Sequence, residues 1–216
     1  MTYGFRGALL AAVMLCAAGT PALAQPIAVP PPPSNGPQAP QSDYAQFRAL
    51  NAPYRLIDFL VAGVAGAAAR RARQDPAFQA QGQMMITAYT QVLTENQDAV
   101  IDTIMSHAFV GFSHDEVVRL SRKCTEPIRR AQDFMVDSYA KDENPTGAQV
   151  NEVLNKDAAY RALTDDDRAL IVRFARAMTT SINQSQPVMS QVRAAVQARI
   201  NHQPEPKIEA HMTVAP

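Results

Sequence analysis

The stretch Phe112-Ser113-His114-Asp115-Glu116-Val117-Val118-Arg119-Leu120-Ser121-Arg122-Lys123-Cys124-Thr125-Glu126-Pro127-Ile128-Arg129-Arg130 contains two helix starts. Ser113 and Glu116 have the Ser-x-x-Glu spacing of a capping box, in which hydroxyl and carboxylate each satisfy a backbone N–H that a first turn leaves free. Thr125-Glu126-Pro127 marks a second start. A hydroxyl stands where it can cap, and a proline sits in the first turn, where its missing N–H costs nothing. The stretch reads as a helix, a sharp break and a second helix. Val117, Leu120, Cys124, Ile128, Ala131 and Met135 recur three or four apart across that break and form one apolar stripe.

The same periodicity extends in both directions, and nothing from Asp43 onwards reads as a strand. Ser42 is placed to cap a short helix ending near Leu50. Asn51 with Pro53 opens a longer one carrying Leu56, Phe59, Leu60, Val64 and Ala67 on one face. Gly63, Gly66 and several alanines make part of that helix thin, so a neighbour can approach closely. Arg70, Arg71 and Arg73 complement the negative end of its dipole. Asp75-Pro76 starts a helix with Phe78, Met85, Ile86, Tyr89, Val92 and Leu93. Thr94 with Gln97 has capping-box spacing before Val100, Ile101, Ile104, Met105 and Ala108, and Gly111 closes that segment.

Beyond the central stretch, Asn144-Pro145-Thr146-Gly147 is a turn, and Val150, Val153 and Leu154 fit a short helix. Leu163-Thr164-Asp165-Asp166-Asp167 repeats the cap of Phe112–Glu116 and precedes a stripe of Leu170, Ile171, Phe174, Met178 and Ile182. Ser185-Gln186-Pro187 starts a last helix with Val188, Val192, Val196 and Ile200. Residues 203–216, with Pro204 and Pro206, read as a frayed, flexible tail. The fold class expected is all-α: about seven or eight short helices over residues 43–202, with Pro-, Ser- or Thr-capped breaks.

Ahead of this domain, residues 1–24 have the layout of a secretory leader. Arg6 precedes an apolar run from Gly7 to Ala18, and Ala22-Leu23-Ala24 is a small-x-small cleavage site. The run is shorter than the about 20 apolar residues of a membrane span. Bulky Leu15 before Cys16 argues against a lipoprotein. Residues 25–42, with Pro26, Pro30 to Pro33, Pro37 and Pro40, form a proline-rich linker with no apolar face. The expected destination is the periplasm, with cleavage after Ala24. The mature chain then holds 19 basic against 20 acidic groups, which gives no steering towards nucleic acid.

Chemistry is sparse. Cys124 is the lone cysteine after cleavage, so it is either a buried apolar residue or an intermolecular disulfide site. His107, His114, His202 and His211 make no His-x-x-x-His pattern. His107 and His114 flank Gly111 and could meet Asp102 or Asp115 at a metal, but cap and surface positions explain them as well. The Asp115-Glu116 and Asp165 to Asp167 carboxylates fit first-turn capping. Arg119, Arg122, Lys123, Arg129 and Arg130 make a basic strip, which reads as the solvated face of a helix. No nucleophile elbow, phosphate loop or dinucleotide fingerprint is present. The expectation is therefore no catalytic, cofactor or metal residue.

An apolar residue, a Ser or Thr, acidic residues, an apolar helix and a Ser/Thr-x-Pro break, all behind a leader, resemble the bacterial domain of unknown function 2059. Phe112-Ser113-His114-Asp115-Glu116-Val117 is similar to the first half of that family's motif, and Lys123-Cys124-Thr125-Glu126-Pro127-Ile128-Arg129 to the second, without its aromatic pair, Ser and Gly. Leu163 to Asp167 with Phe174-Ala175 offers a second match, and the two stand as alternatives or as a diverged repeat. The resemblance spans residues 54–202 and implies an exported helical domain.

Two functions are open from the residues. One is a non-enzymatic interaction or structural protein of the cell envelope, binding an unknown envelope protein or itself. The other is a periplasmic binding module for a lipid or small apolar ligand, suggested by the small-residue helix at Val61–Ala69 and by Met84, Met85, Met105 and Met135.

Overall fold

The structure is a computed structural model, and it describes residues 39–214. The leader expected at 1–24 and most of the linker expected at 25–42 lie outside the described residues. These residues are helical, with no strand among them. In chain order the helices are α1 (Tyr44–Arg48), α2 (Asn51–Tyr54), α3 (Leu56–Gln74), α4 (Gln79–Glu95), α5 (Gln97–Phe109), α6 (His114–Lys123), α7 (Thr125–Ala140), α8 (Gly147–Lys156), α9 (Ala158–Arg161), α10 (Asp165–Gln184) and α11 (Gln186–Ile200). Eight of these have ten residues or more, and α1, α2 and α9 are single turns between them.

Helix α5 is the axis of the fold. Val100, Thr103, Ile104, Met105 and Ser106 are all fully buried, so the helix is enclosed on nearly every side, as a helix without a broad charged face must be. Helices α1, α3, α4, α10 and α11 pack around it. One end of the core is aromatic. Phe47 of α1 meets Phe109 at 5.3 Å, Phe112 at 5.2 Å and Phe174 of α10 at 5.7 Å between ring centroids. No single helix among the described residues is long and apolar enough to cross a membrane. The segments Gln41–Tyr54 and Leu56–Gln74 pass that test only as a pair bent by 42°. Their apolar residues Phe47, Leu56 and Leu60 are buried in the core.

The small-residue helix α3 does what its composition allows. A Cβ added to Gly66 would sit 2.3 Å from the Tyr139 carbonyl oxygen, so α3 and α7 touch backbone to side-chain-free backbone there. Arg70 and Arg73 both pair with Asp142 just beyond α7, which locks the same seam at its end.

Several caps fall elsewhere than expected. Ser113 and Glu116 form the full capping box, and Thr164 accepts from the Asp167 N–H. Thr94 lies inside α4, not at a helix start, and α5 begins after Asn96 with no side-chain cap. Thr125 is already helical. The residue before it, Cys124, is the joint between α6 and α7 and makes no side-chain cap bond. Ser185 turns its hydroxyl back to the Ser181 carbonyl. Ser42 sits inside a 3-10 turn, Gln41–Asp43, that follows Pro40. The long helix expected from Asn51 breaks at Arg55, which adopts a left-handed φ of 53°. Asn51 still caps, but one helix later: its Oδ1 accepts from the Leu56 N–H at 3.3 Å. Thr146 with Gln149 forms a further capping box, within the segment whose composition reads as a turn.

The tail is also not frayed. After α11 the chain runs back along α5 and α11. The His211 N–H donates to the Thr103 hydroxyl at 2.9 Å and the Thr213 N–H to the Ser106 hydroxyl at 3.1 Å. An extended strap offers an N–H on one side every second residue, and two hydroxyls three apart on a helix can receive them. That pairing explains why a Thr and a Ser lie fully buried on the central helix. Ile208 is buried beneath the strap, and Arg199 ties its start to Glu95 and Glu205.

Candidate functional site

Helices α6 and α10, the two that follow the repeated caps, are stapled to each other. Glu116 of α6 takes the Arg173 guanidinium of α10 on both carboxylate oxygens, at 2.6 Å on one of them. Arg119 of α6 pairs with Asp167 of α10, Nη2 to Oδ1 at 2.6 Å. Position 116 faces 173 and position 119 faces 167, so the helices run antiparallel. Each cap carboxylate thus serves twice, closing a first turn and holding the opposite helix. Burial pushes both carboxyls up, but the arginines and cap hydrogen bonds outweigh it and hold Glu116 and Asp167 below their ordinary values. Cys124 lies under this staple with no exposed surface. Burial, reinforced by Asp167, pushes its thiol up to about 11. With no exposed surface, Cys124 packs as a core residue.

The far side of α10 is different. Between α7, α8 and α10 lies a cleft of about 90 Å³, floored by Tyr54 of α2. Helix α7 supplies Ile128, Ala131, Gln132 and Met135, the last turns of the stripe that began at Val117. Helix α8 supplies Gly147, Val150, Asn151 and Leu154 at the same helical spacing. Helix α10 supplies Ile171, Val172, Phe174, Ala175, Arg176 and Thr179. Helix α8 buries only Leu154 fully; it packs on α7 but does not close on α10, which leaves the space between them. Asp157, just after α8, caps α9 and pairs with Arg130 of α7 at 3.7 Å.

Two polar groups break the apolar lining. Gln132 is 3% exposed, and among the described residues its side-chain Nε2 has no hydrogen-bond partner. A buried donor left unmade costs about 1–3 kcal/mol, and an acceptor on a bound molecule would recover it. Arg176 is half-buried and, among the described residues, has no carboxylate or hydrogen-bond partner, whereas Arg119, Arg173 and Arg199 are all paired. The lining contains no Asp or Glu.

The other candidate residues are held elsewhere. His107 bonds to the Thr213 hydroxyl at 2.6 Å and His114 to Asp43 at 2.9 Å. Asp102 accepts from the Tyr44 hydroxyl at 3.2 Å and pairs with Arg48, and Asp115 is exposed. No group of three or more His, Cys, Asp or Glu able to hold a metal occurs among the described residues. His202 ends α11 at a left-handed φ of 53°, and the His211 ring meets Gln191 at 3.2 Å. In the basic strip, Arg119, Arg129 and Arg130 are ion-paired, while Arg122 and Lys123 are exposed. Of the methionines, Met85 and Met105 are core, Met84 is 51% exposed, and Met135 lines the cleft. Sequence reading placed Ile128, Ala131 and Met135 on one face but did not single out Gln132 or Arg176.

Comparison with family models, with curated proteins and with solved structures finds no match to this chain.

Proposed function

We propose that this chain is a non-enzymatic interaction module of the cell envelope, and that its ligand is a small, mostly apolar molecule held in the cleft between α7, α8 and α10. The observation that carries the reading is the unpartnered Gln132 amide on the wall of an otherwise apolar cleft. The engagement of Glu116, Asp167, His107 and His114 in caps and interhelix bonds supports a binding role over acid–base chemistry. The leader-like residues 1–24 support export to the periplasm with cleavage after Ala24, and the resemblance to the domain of unknown function 2059 is consistent with that destination.

The test uses the mature chain, residues 25–216, and a neutral apolar fluorophore, N-phenylnaphthylamine. Saturable fluorescence enhancement is expected, lost in Ala175→Trp, which fills the cleft, and retained in Met84→Ser, which alters the exposed methionine outside it. Enhancement that survives Ala175→Trp in a variant with unchanged helicity, or no saturable enhancement at all, would overturn the proposal.

A further inference from the structure

We infer that the cleft selects a molecule with a short apolar body and a single carboxylate head. The inference rests on the reading of the cleft as a binding site and names the class of ligand it takes. Three observations point the same way. The walls offered by Ile128, Val150, Ala175 and their neighbours are apolar. Among the described residues, the buried Gln132 amide is a donor without an acceptor. Arg176, again among the described residues, is a cation without an anion, on a lining that has no carboxylate of its own.

A carboxylate fits this set better than other heads. It offers acceptors only, and its two oxygens suit one guanidinium fork together with one amide N–H. An ammonium head would face Arg176 with like charge. An ester or alcohol head would leave the arginine unpaired. A phosphate monoester has more oxygens and charge than one arginine and one amide satisfy. The size sets the body. An enclosed cavity of about 150 Å³ holds benzene. A cleft of about 90 Å³ that opens to solvent therefore takes a short acyl segment and leaves the rest of a longer chain outside.

The experiment is competition against N-phenylnaphthylamine on the mature chain by three probes of one length: octanoate, methyl octanoate and octylamine. Octanoate is expected to displace the fluorophore about tenfold more tightly than its methyl ester, with octylamine weakest. Arg176→Gln should remove that preference. Gln132→Leu should weaken octanoate relative to its methyl ester. Equal binding of octanoate and methyl octanoate would overturn the carboxylate assignment while leaving the cleft as a binding site. Failure of the fluorophore itself to bind would remove both readings. Contacts in the unliganded chain between Val150 methyls and prolines of the 25–38 segment would overturn the inference in another way, by naming the chain's own arm as the occupant.

Discussion

Helix α7 meets its neighbours in two opposite ways. Against α3 it closes until backbone touches backbone: Gly66 has no room for a methyl group beneath the Tyr139 carbonyl, and Arg70 and Arg73 clamp the end of the seam on Asp142. Against α10 it stands apart, and Gln132, whose side-chain amide nitrogen has no hydrogen-bond partner among the described residues, lines the gap. Helix α10 repeats the contrast. Its α6 side is stapled by two ion pairs, and its α8 side is the open wall. The two closed seams pair the charges that meet there: Arg70 and Arg73 with Asp142, Glu116 with Arg173, and Asp167 with Arg119. Among the described residues the open seam leaves unmet one buried amide and one half-buried guanidinium, the two groups on which the proposed binding rests.

The contrast breaks most visibly at Gly66. Gly66→Ala forces a Cβ against a backbone atom that cannot rotate away, so a loss of about 3 kcal/mol is expected from urea unfolding monitored by circular dichroism. A cost near that of an exposed helical Gly→Ala change, which is usually favourable, would show that the α3–α7 seam is not closed.

The staple comes next. Arg119→Ala leaves the nearly buried Asp167 carboxylate with only its Thr164 cap, and the expected loss is about 2–3 kcal/mol. The paired variant Arg119→Met with Asp167→Leu should recover most of it, because both charges are then gone. The same staple sets a pH dependence. Glu116 and Asp167 are held below their ordinary values in the folded chain, so the unfolded chain takes up protons first as pH falls. Their stabilisation is complete above the unfolded carboxylate range and disappears as pH drops through the folded values. The urea midpoint should therefore be level from about pH 7 to 5 and fall below about pH 4, less steeply in Arg173→Met.

The smallest effect has the opposite sign. Gln132→Leu exchanges an unmade donor for an apolar group of similar size, so stability should stay level or rise by about 1 kcal/mol. A loss comparable to Arg119→Ala would mean that the amide is satisfied and that the open seam is an ordinary one.

The sequence carried the closed parts of this fold more readily than the open one. Ser113-x-x-Glu116 and Thr164 with Asp167 announced helix starts because a cap is a local device, written within four residues. Asn51 shows the limit of that reading: its capping oxygen was legible, but the helix it serves lies beyond the left-handed turn at Arg55. The strap at 203–214 was missed because its prolines suggest fraying. What fixes it is a pair of hydroxyls, Thr103 and Ser106, about a hundred residues earlier, which look out of place on the most buried helix until the strap lies on them. The stripe through Ile128, Ala131 and Met135 announced an apolar face. Whether such a face packs or stays open is decided by how α8 and α10 lie against it, and that arrangement is set by contacts between distant segments, such as Arg130 with Asp157, which have no local signature.

The most direct measurement is a ¹H–¹⁵N spectrum of the mature chain titrated with octanoate, watching the side-chain amide of Gln132. A bound ligand in the cleft predicts a saturable shift of that signal, together with the backbone amides of Val150 and Ala175, and little change around Met84 or Gly66. A Gln132 signal that does not move at saturating octanoate, or shifts confined to the surface around Met84, would contradict the cleft as the site.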